Sequence, residues 1–237
     1  MGRDPERGGV GVHTFPRYAA ADPAQVTALV RENPFALVVS TVDGVPVATH
    51  VPVVLEGTAV AGGTLLGHLA RANPHWRSFA SSPDVLVIFS GPHGYVSPTV
   101  YATDPAVPTW DYAAVHVTGR VELLDDPLDA LDVVERTVTA LESLREPAWE
   151  PTAASRDRFR ALLPGVVAFR VHVRTEQSIF KLSQDLDAER YSRVRDAAAA
   201  RNLGLAEQMR RAGCGALKER PDGWPVDGPV DRAVGQG

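Results

Sequence analysis

The sequence predicts an α+β fold that is mainly β, a small closed or split β-barrel with peripheral helices. Three observations lead there. About six β-branched runs follow one another with hairpin-type connections, Gly and Pro signals punctuate them, and helical periodicity does not recur after every strand. A parallel sheet would need a helical crossover between each pair of strands.

Taken in order, residues 1–11 are Gly-rich and charged, the composition of a disordered arm. Asp22 caps a helix with Pro23 at its first position and Gln25 three residues after the cap; Val26, Leu29 and Val30 follow at helical spacing until Asn33-Pro34. Phe35 to Val42 is a β-branched strand, and Asp43-Gly44 turns it into a second strand, Pro46 to Leu55. Pro46 and Pro52 each remove a ladder donor, so this strand belongs at an edge or bulge, and His50 alternates away from the Val47/Thr49/Val51 face. Thr64 to Leu69 is a third strand. Asn73-Pro74 then starts a short helix to Phe79, Val85 to Ser90 forms a short strand, and Gly91 to Val107 reads as an irregular loop.

Thr109 to Leu124 is a long strand bent at Gly119, and Asp126-Pro127 opens a helix whose apolar stripe is Leu128, Leu131, Val134, Val138, Leu141 and Leu144. A helix near Ser155 to Leu163 precedes a β run from Gly165 to Val173, and one Ala/Arg-rich helix runs from Ala188 to about Ala212 with Gly213 as its stop. The implied organisation is a barrel domain over 12–182, a helical segment over 183–215, and a Pro/Gly-dense, disordered tail over 219–237. No repeat recurs at a fixed period.

Composition narrows the function classes. Hydrophobic residues at 44% and charged residues at 22% are ordinary for a globular protein, and a formal charge of −5 with no Lys/Arg block argues against nucleic-acid binding. No apolar run reaches membrane-spanning length, the N-terminus lacks a secretory apolar core, and Cys214 alone makes neither an internal disulfide nor a thiolate zinc site, so a cytoplasmic protein is expected. GxGxxG, Walker, GxSxG and HExxH patterns are all missing.

The stretch Leu66–Tyr101 gathers His68, Arg71, Asn73, His75, Trp76, His93 and Tyr95 between Pro-containing turns, a composition suited to a site. Any single histidine there is either a hydrogen-bonded rim residue or a ligand and proton carrier; His50, His68, His75 and His93 together strengthen the second reading. Arg71 is either a solvated charge or, beside the Asn73 helix start, an anion clamp. Trp76, Tyr95, Tyr101, Trp110 and Tyr112 divide between packing and the wall of a flat pocket, and Lys181 either snorkels or reaches that pocket.

GHLARANPHW, VLVIFSGPHGYVSP, VPTWDYAAVHVTGR and FKLSQD, with ATHVP upstream, resemble the PaiB family of FMN-binding negative transcriptional regulators, in order over about residues 14 to 195. The resemblance implies an FMN-binding split-barrel fold and a homodimer with cofactor sites between subunits. Within the family, GHLARANPHW, GPHGYVSPTVY, RTVTALES and LPGVVAFRV through FKLSQD are similar to heme-dependent piperazate synthases. That branch implies heme b as cofactor, with FMN as the alternative, and closure of N5-hydroxy-L-ornithine to L-piperazic acid by N–N bond formation with loss of water.

The alternatives are an FMN- or heme-binding regulator and an FMN-dependent oxidoreductase. Under the synthase reading His68 is the expected axial iron ligand, with His50 in reserve, because His68 ends the strand that feeds the Arg71 loop. Arg71 would hold a propionate, substrate carboxylate or flavin phosphate; Asn73, Trp76, Trp110 and Tyr112 would help bind the cofactor; Lys181, Tyr95 and His93 would move protons or position substrate. The chain departs from the family at Asp111 and Asp185, where Asn is usual, exchanging an amide donor for a carboxylate.

Overall fold

The computed structural model describes residues 18–213. The tails read from 1–11 and 219–237 lie outside the described residues. Strands β1 (Phe35–Val42), β2 (Val45–Glu56), β3 (Thr64–Ala70), β4 (Asp84–Val96), β5 (Thr109–Leu124) and β6 (Val166–Lys181) are joined by antiparallel ladders. They close into a barrel in the order β1-β2-β3-β6-β5-β4. The β1–β2 hairpin turns at Asp43 and Gly44, with φ of 49° and 80°, the left-handed pair that an Asp-Gly turn supplies. β2 pairs with β3 only from Val53 onward, so Pro46 and Pro52 lie where the strand has β1 alone as a neighbour and a missing donor costs nothing.

Helices cover the barrel. α1 (Pro23–Glu32) is capped by Asp22, whose carboxylate accepts from the Ala24 amide, and it sends Val26, Leu29 and Val30 into the main core. That core is lined by Val38, Val53, Leu65, Phe89, Val115, Phe169 and their neighbours. Gly67 is required in β3 because a Cβ there would overlap the Phe169 ring. A second cluster forms on the outer surface, where Ala130 and Val133 of a later helix meet Val54, Leu66 and Ala168.

Several expected boundaries move, each for a tertiary reason. The chain after Ser90 is not an irregular loop to Val107. β4 continues to Val96 because the ladder to β5 resumes at His93 after a bulge, and Pro92 sits in the bulge where no ladder donor is needed. The short helices α2 (Ser78–Ser81), after a 3-10 turn at Pro74–Arg77, and α3 (Pro98–Tyr101) replace the expected single helix to Phe79 and part of the loop. β6 runs to Lys181, well past Val173, because β5 offers a partner along its whole length.

In α4 (Pro127–Glu142) the buried residues are Ala130, Val133 and Thr137, whereas Leu128 of the expected stripe is exposed. Small side chains let the helix approach the sheet, and the larger apolar residues are left at the margins. α5 (Ala153–Leu162) follows. The expected C-terminal helix is two helices, α6 (Ala188–Ala199) and α7 (Leu203–Ala212), divided where Asn202 leaves helical geometry to cap the second. Tyr191, Val194, Leu205 and Met209 join the barrel core. Among the described residues no helix is long and apolar enough to cross a membrane.

Candidate functional site

The residues singled out in the sequence fall into two groups at different ends of β6. His68 lies opposite Ala168, while Tyr112 lies opposite Lys181, thirteen residues further along the strand. At roughly 3.3 Å per residue that is on the order of 40 Å of contour along a bent strand, so the two groups belong to different ends of it. Of the four histidines of the sequence cluster, His50, His68 and His75 belong to the first group and His93 to the second.

The first group surrounds the end of β3. Alternation puts His68 on the outer face of the barrel with Leu66, since Leu65 and Leu69 point into the core. His68 is partly buried, its Nδ1 is buried with no hydrogen-bond partner, and burial lowers its pKa, so the ring is neutral at pH 7. His50 is exposed on β2 and stacks on Phe35, with ring centroids 5.6 Å apart.

Arg71 is held at the surface, donating from Nε to the Pro164 carbonyl at 3.0 Å and from Nη2 to the Val166 carbonyl at 2.9 Å. Its guanidinium therefore ties the β3 end to the β6 start and has limited freedom as an anion clamp. Trp76 donates its indole N–H to the Arg71 carbonyl at 3.0 Å and lies under both Arg71 and Arg77, 5.7 and 5.2 Å from the ring centre. Neither arginine forms an ion pair among the described residues. Asn73 is the expected cap, accepting from the His75 amide at 3.0 Å, but the helical segment it caps is too short to offer much dipole.

His75, which the sequence grouped with the site, is turned inward instead. Its Nε2 lies 2.8 Å from Ser40 Oγ and its Nδ1 2.8 Å from Thr49 Oγ1, while Ser40 also contacts Ser78 Oγ at 2.8 Å and Asn73 donates to Thr49 at 3.2 Å. Burial lowers the pKa of His75, and a neutral ring serves this network as donor on one side and acceptor on the other. Its place in the fold is to fix the Arg71–Arg77 turn onto β1 and β2. Nothing in the sequence pattern marked Ser40, Thr49 and Ser78 as its partners, because they come from separate elements.

The second group shares one outer face. Directly paired residues of antiparallel strands project to the same side, and the register pairs His93 with Tyr112, Tyr95 with Trp110, and Tyr112 with Lys181. His93 and Tyr95 stand 5.9 and 6.2 Å from the Trp110 ring, and Tyr95 and Trp110 are more than half exposed. His93, Trp110 and Tyr112 line a mostly apolar cavity of 260 Å³ together with Ser90, Gly91, Ala113 and Ala114. Lys181 is half-buried beside them and donates to the Thr109 hydroxyl. Flat rings, one imidazole and one ammonium on a single surface suit an aromatic or conjugated ligand carrying an anionic group.

Behind this face, between Trp110 and Tyr112, Asp111 is fully buried. Oδ2 accepts from Ser183 Oγ at 2.6 Å, while Oδ1 is buried with no partner. Burial raises its pKa to about 6; the Ser183 hydrogen bond and the Lys181 charge pull it down, and Asp185 pushes it up. The sequence marked Asp111 as a departure, but its burial was not visible there. Among the described residues no group of three or more His, Cys, Asp or Glu side chains is placed to hold a metal ion.

Residues 12–175 match the family described as "Putative FMN-binding domain". Protease synthase and sporulation protein PAI 2 of Bacillus subtilis (strain 168) is 34% identical over 184 residues, spanning 76% of this chain and 86% of that protein. Two solved structures share the fold: the flavocytochrome Anf3 from Azotobacter vinelandii, with 19% identity, TM-score 0.55 and coverage of 76% and 78% of the two chains, and the FAD and heme binding protein from Mycobacterium smegmatis, with 15% identity, TM-score 0.52 and coverage of 69% and 73%. The match over most of the barrel, the identity to PAI 2 and the closed six-strand topology place this chain in the PaiB-like FMN-binding-domain family of split barrels.

Proposed function

We propose that the protein is a heme-dependent cyclase that closes N5-hydroxy-L-ornithine to L-piperazic acid, and that it acts as a cytoplasmic homodimer. The observation that carries the heme reading is His68. An imidazole kept neutral by burial and held on a rigid strand, only partly buried, has the chemistry of an axial iron ligand through its other nitrogen, since Nδ1 is enclosed by the protein. The naming of heme in one similar fold and of a flavocytochrome in another is consistent with it.

Ring closure joins the α-amine nitrogen to the N5 nitrogen, breaks the N5–O bond and releases water; atoms and electrons balance without an oxidant. Heme, when bound, supplies a Lewis-acidic iron for the departing hydroxylamine oxygen. The chain's own residues bind and orient. Trp110 and Tyr112 wall the ligand, Lys181 holds a carboxylate, and Tyr95 stands at the rim to donate a proton. His93 directs Nδ1 toward the Gly91 carbonyl at 3.4 Å, leaving Nε2 to take a proton from the attacking amine. Folding a flexible ornithine chain into near-attack geometry is a large part of what such a site contributes. At the other end, His68 would hold the iron, with His50, Arg71, Asn73 and Trp76 around the cofactor.

The separation of the two groups along β6 supports the dimer. The His68 and Trp110 groups lie toward different ends of β6, which supports a site completed by a second copy presenting its aromatic face to the first one's His68. Partly exposed Leu37, Ile88 and His116 form one register row between the two groups, a surface of the kind such a contact covers.

The test is spectroscopic, then chemical. Protein loaded with hemin should show a ligand-shifted Soret band that His68→Ala abolishes, and it should convert N5-hydroxyornithine to the cyclic product. A second reading, an FMN-binding regulator, is favoured by the family description and by the identity to PAI 2. A flavin spectrum with no hemin uptake would support FMN binding and end the first reading.

A further inference from the structure

The turn that ends β6 is tied to β5 through one carboxyl group. Ser183 adopts a left-handed φ of 58°, a conformation that a non-glycine residue holds only when its surroundings enforce it. What enforces it is Asp111, which accepts the Ser183 hydroxyl at 2.6 Å, and Gln184, whose Oε1 accepts the Leu182 amide at 2.7 Å. Immediately before the turn, Lys181 is paired with Tyr112 and donates to Thr109. Asp111 thus anchors the segment that carries the ammonium of the aromatic face.

We propose that Asp111 is the positioning residue of this face and a proton-operated gate. Neutral, it keeps the 182–186 turn closed and Lys181 in place; ionised, it favours a hydrated, open turn that releases Lys181. The placement of Lys181 at a ligand rests on the reading of the aromatic face given above, whereas the gate itself does not.

The physical cause is the orphaned oxygen. A fully buried carboxylate with Oδ1 unpartnered lacks the hydration it has in water, and opening the turn restores it. The groups facing Asp111 do not remove that penalty. Lys181 on β6 offsets part of it, Asp185 on the same turn adds to it, and Tyr101 on α3 is itself disfavoured as an anion, first by burial and then by Asp111, Asp185 and Tyr95. A group that ionises less readily closed than open drives opening as pH rises. With a closed-state pKa of about 6 and an open-state value near 3.8, the opening equilibrium rises about tenfold between pH 5 and pH 7.5.

Amide hydrogen exchange of the full chain reads this directly. Protection of the peptide over 182–187, corrected for the intrinsic exchange rate at each pH, should fall about tenfold from pH 5 to pH 7.5. Asp111→Asn keeps the shape without the titration and should abolish the difference. Asp185→Asn, at an exposed position, should keep a smaller difference in the same direction, with its midpoint at lower pH. Unchanged wild-type protection overturns the gate, as does a difference that survives Asp111→Asn or vanishes in Asp185→Asn. Hemin titration of the same proteins separates the two proposals: pH-gated exchange without hemin binding ends the heme reading and leaves the gate, and hemin binding with pH-independent exchange does the reverse.

Discussion

Replacing Asp111 by Asn should stabilise the protein at neutral pH and do much less in acid. In the folded state the carboxyl has a pKa of about 6 against 3.8 when exposed. For an acid with a raised folded pKa, the native state binds more protons than the unfolded chain between those two values. Stability is therefore lost as pH rises through that window and stays flat above it.

Just over two units at 1.36 kcal/mol each give a ceiling of about 3 kcal/mol. Asn is uncharged throughout and has nearly the same shape, so its own hydrogen-bonding mismatch adds an offset that does not change with pH. For a chain of this size the ceiling corresponds to roughly 6–12 °C in Tm. Urea unfolding of both proteins at pH 4 and pH 7.5 measures it. The gain on substitution should grow by about 2–3 kcal/mol across that interval. An equal gain at both pH values, or a larger one at pH 4, would refute the claim that a buried, poorly partnered carboxylate is the cause.

Three further outcomes follow from the packing. His75→Phe fills the ring's space but removes the partner that Ser40 and Thr49 share, and equilibrium unfolding should show a loss of about 2 kcal/mol; a neutral result would mean that Ser78 and Asn73 satisfy the two hydroxyls alone. Gly67→Ala forces a methyl into the Phe169 ring and should cost about 1–3 kcal/mol, measurable as a drop in Tm, with a matching recovery when Phe169 is shortened to Leu. Arg71→Ala should lower stability by about 1 kcal/mol, because two carbonyls at the β3–β6 junction lose their donor, whereas Arg77→Ala, which loses only its indole contact, should change it by less.

Local chemistry was legible in the sequence wherever one residue type dictates one geometry. Asp22, Asn73 and Asp126 cap as expected, Asp43-Gly44 makes the hairpin, and β-branched runs form β1, β2 and β3. The family resemblance, carried by blocks spread over the whole barrel, gave the split-barrel architecture. Elements that depend on a distant partner were misread: β4 and β6 extend because β5 lies beside them, a pairing across long sequence separations that periodicity cannot register.

The candidate site divides the same way. Composition marked His68, Arg71, Trp76, His93, Tyr95, Trp110, Tyr112 and Lys181 as residues able to bind and react, since that depends on side-chain type alone. Which of them meet depends on strand order, and the barrel inserts β6 between β3 and β5, sending the first three to one end and the rest to the other. Alternation by a single residue turned His50 outward while Thr49 met the buried His75. Asp111 is the sharpest case. The sequence determined that a carboxyl replaces the usual amide, but only burial with one oxygen left unpartnered decided that its charge is costly, because desolvation is a property of the surroundings and not of the residue.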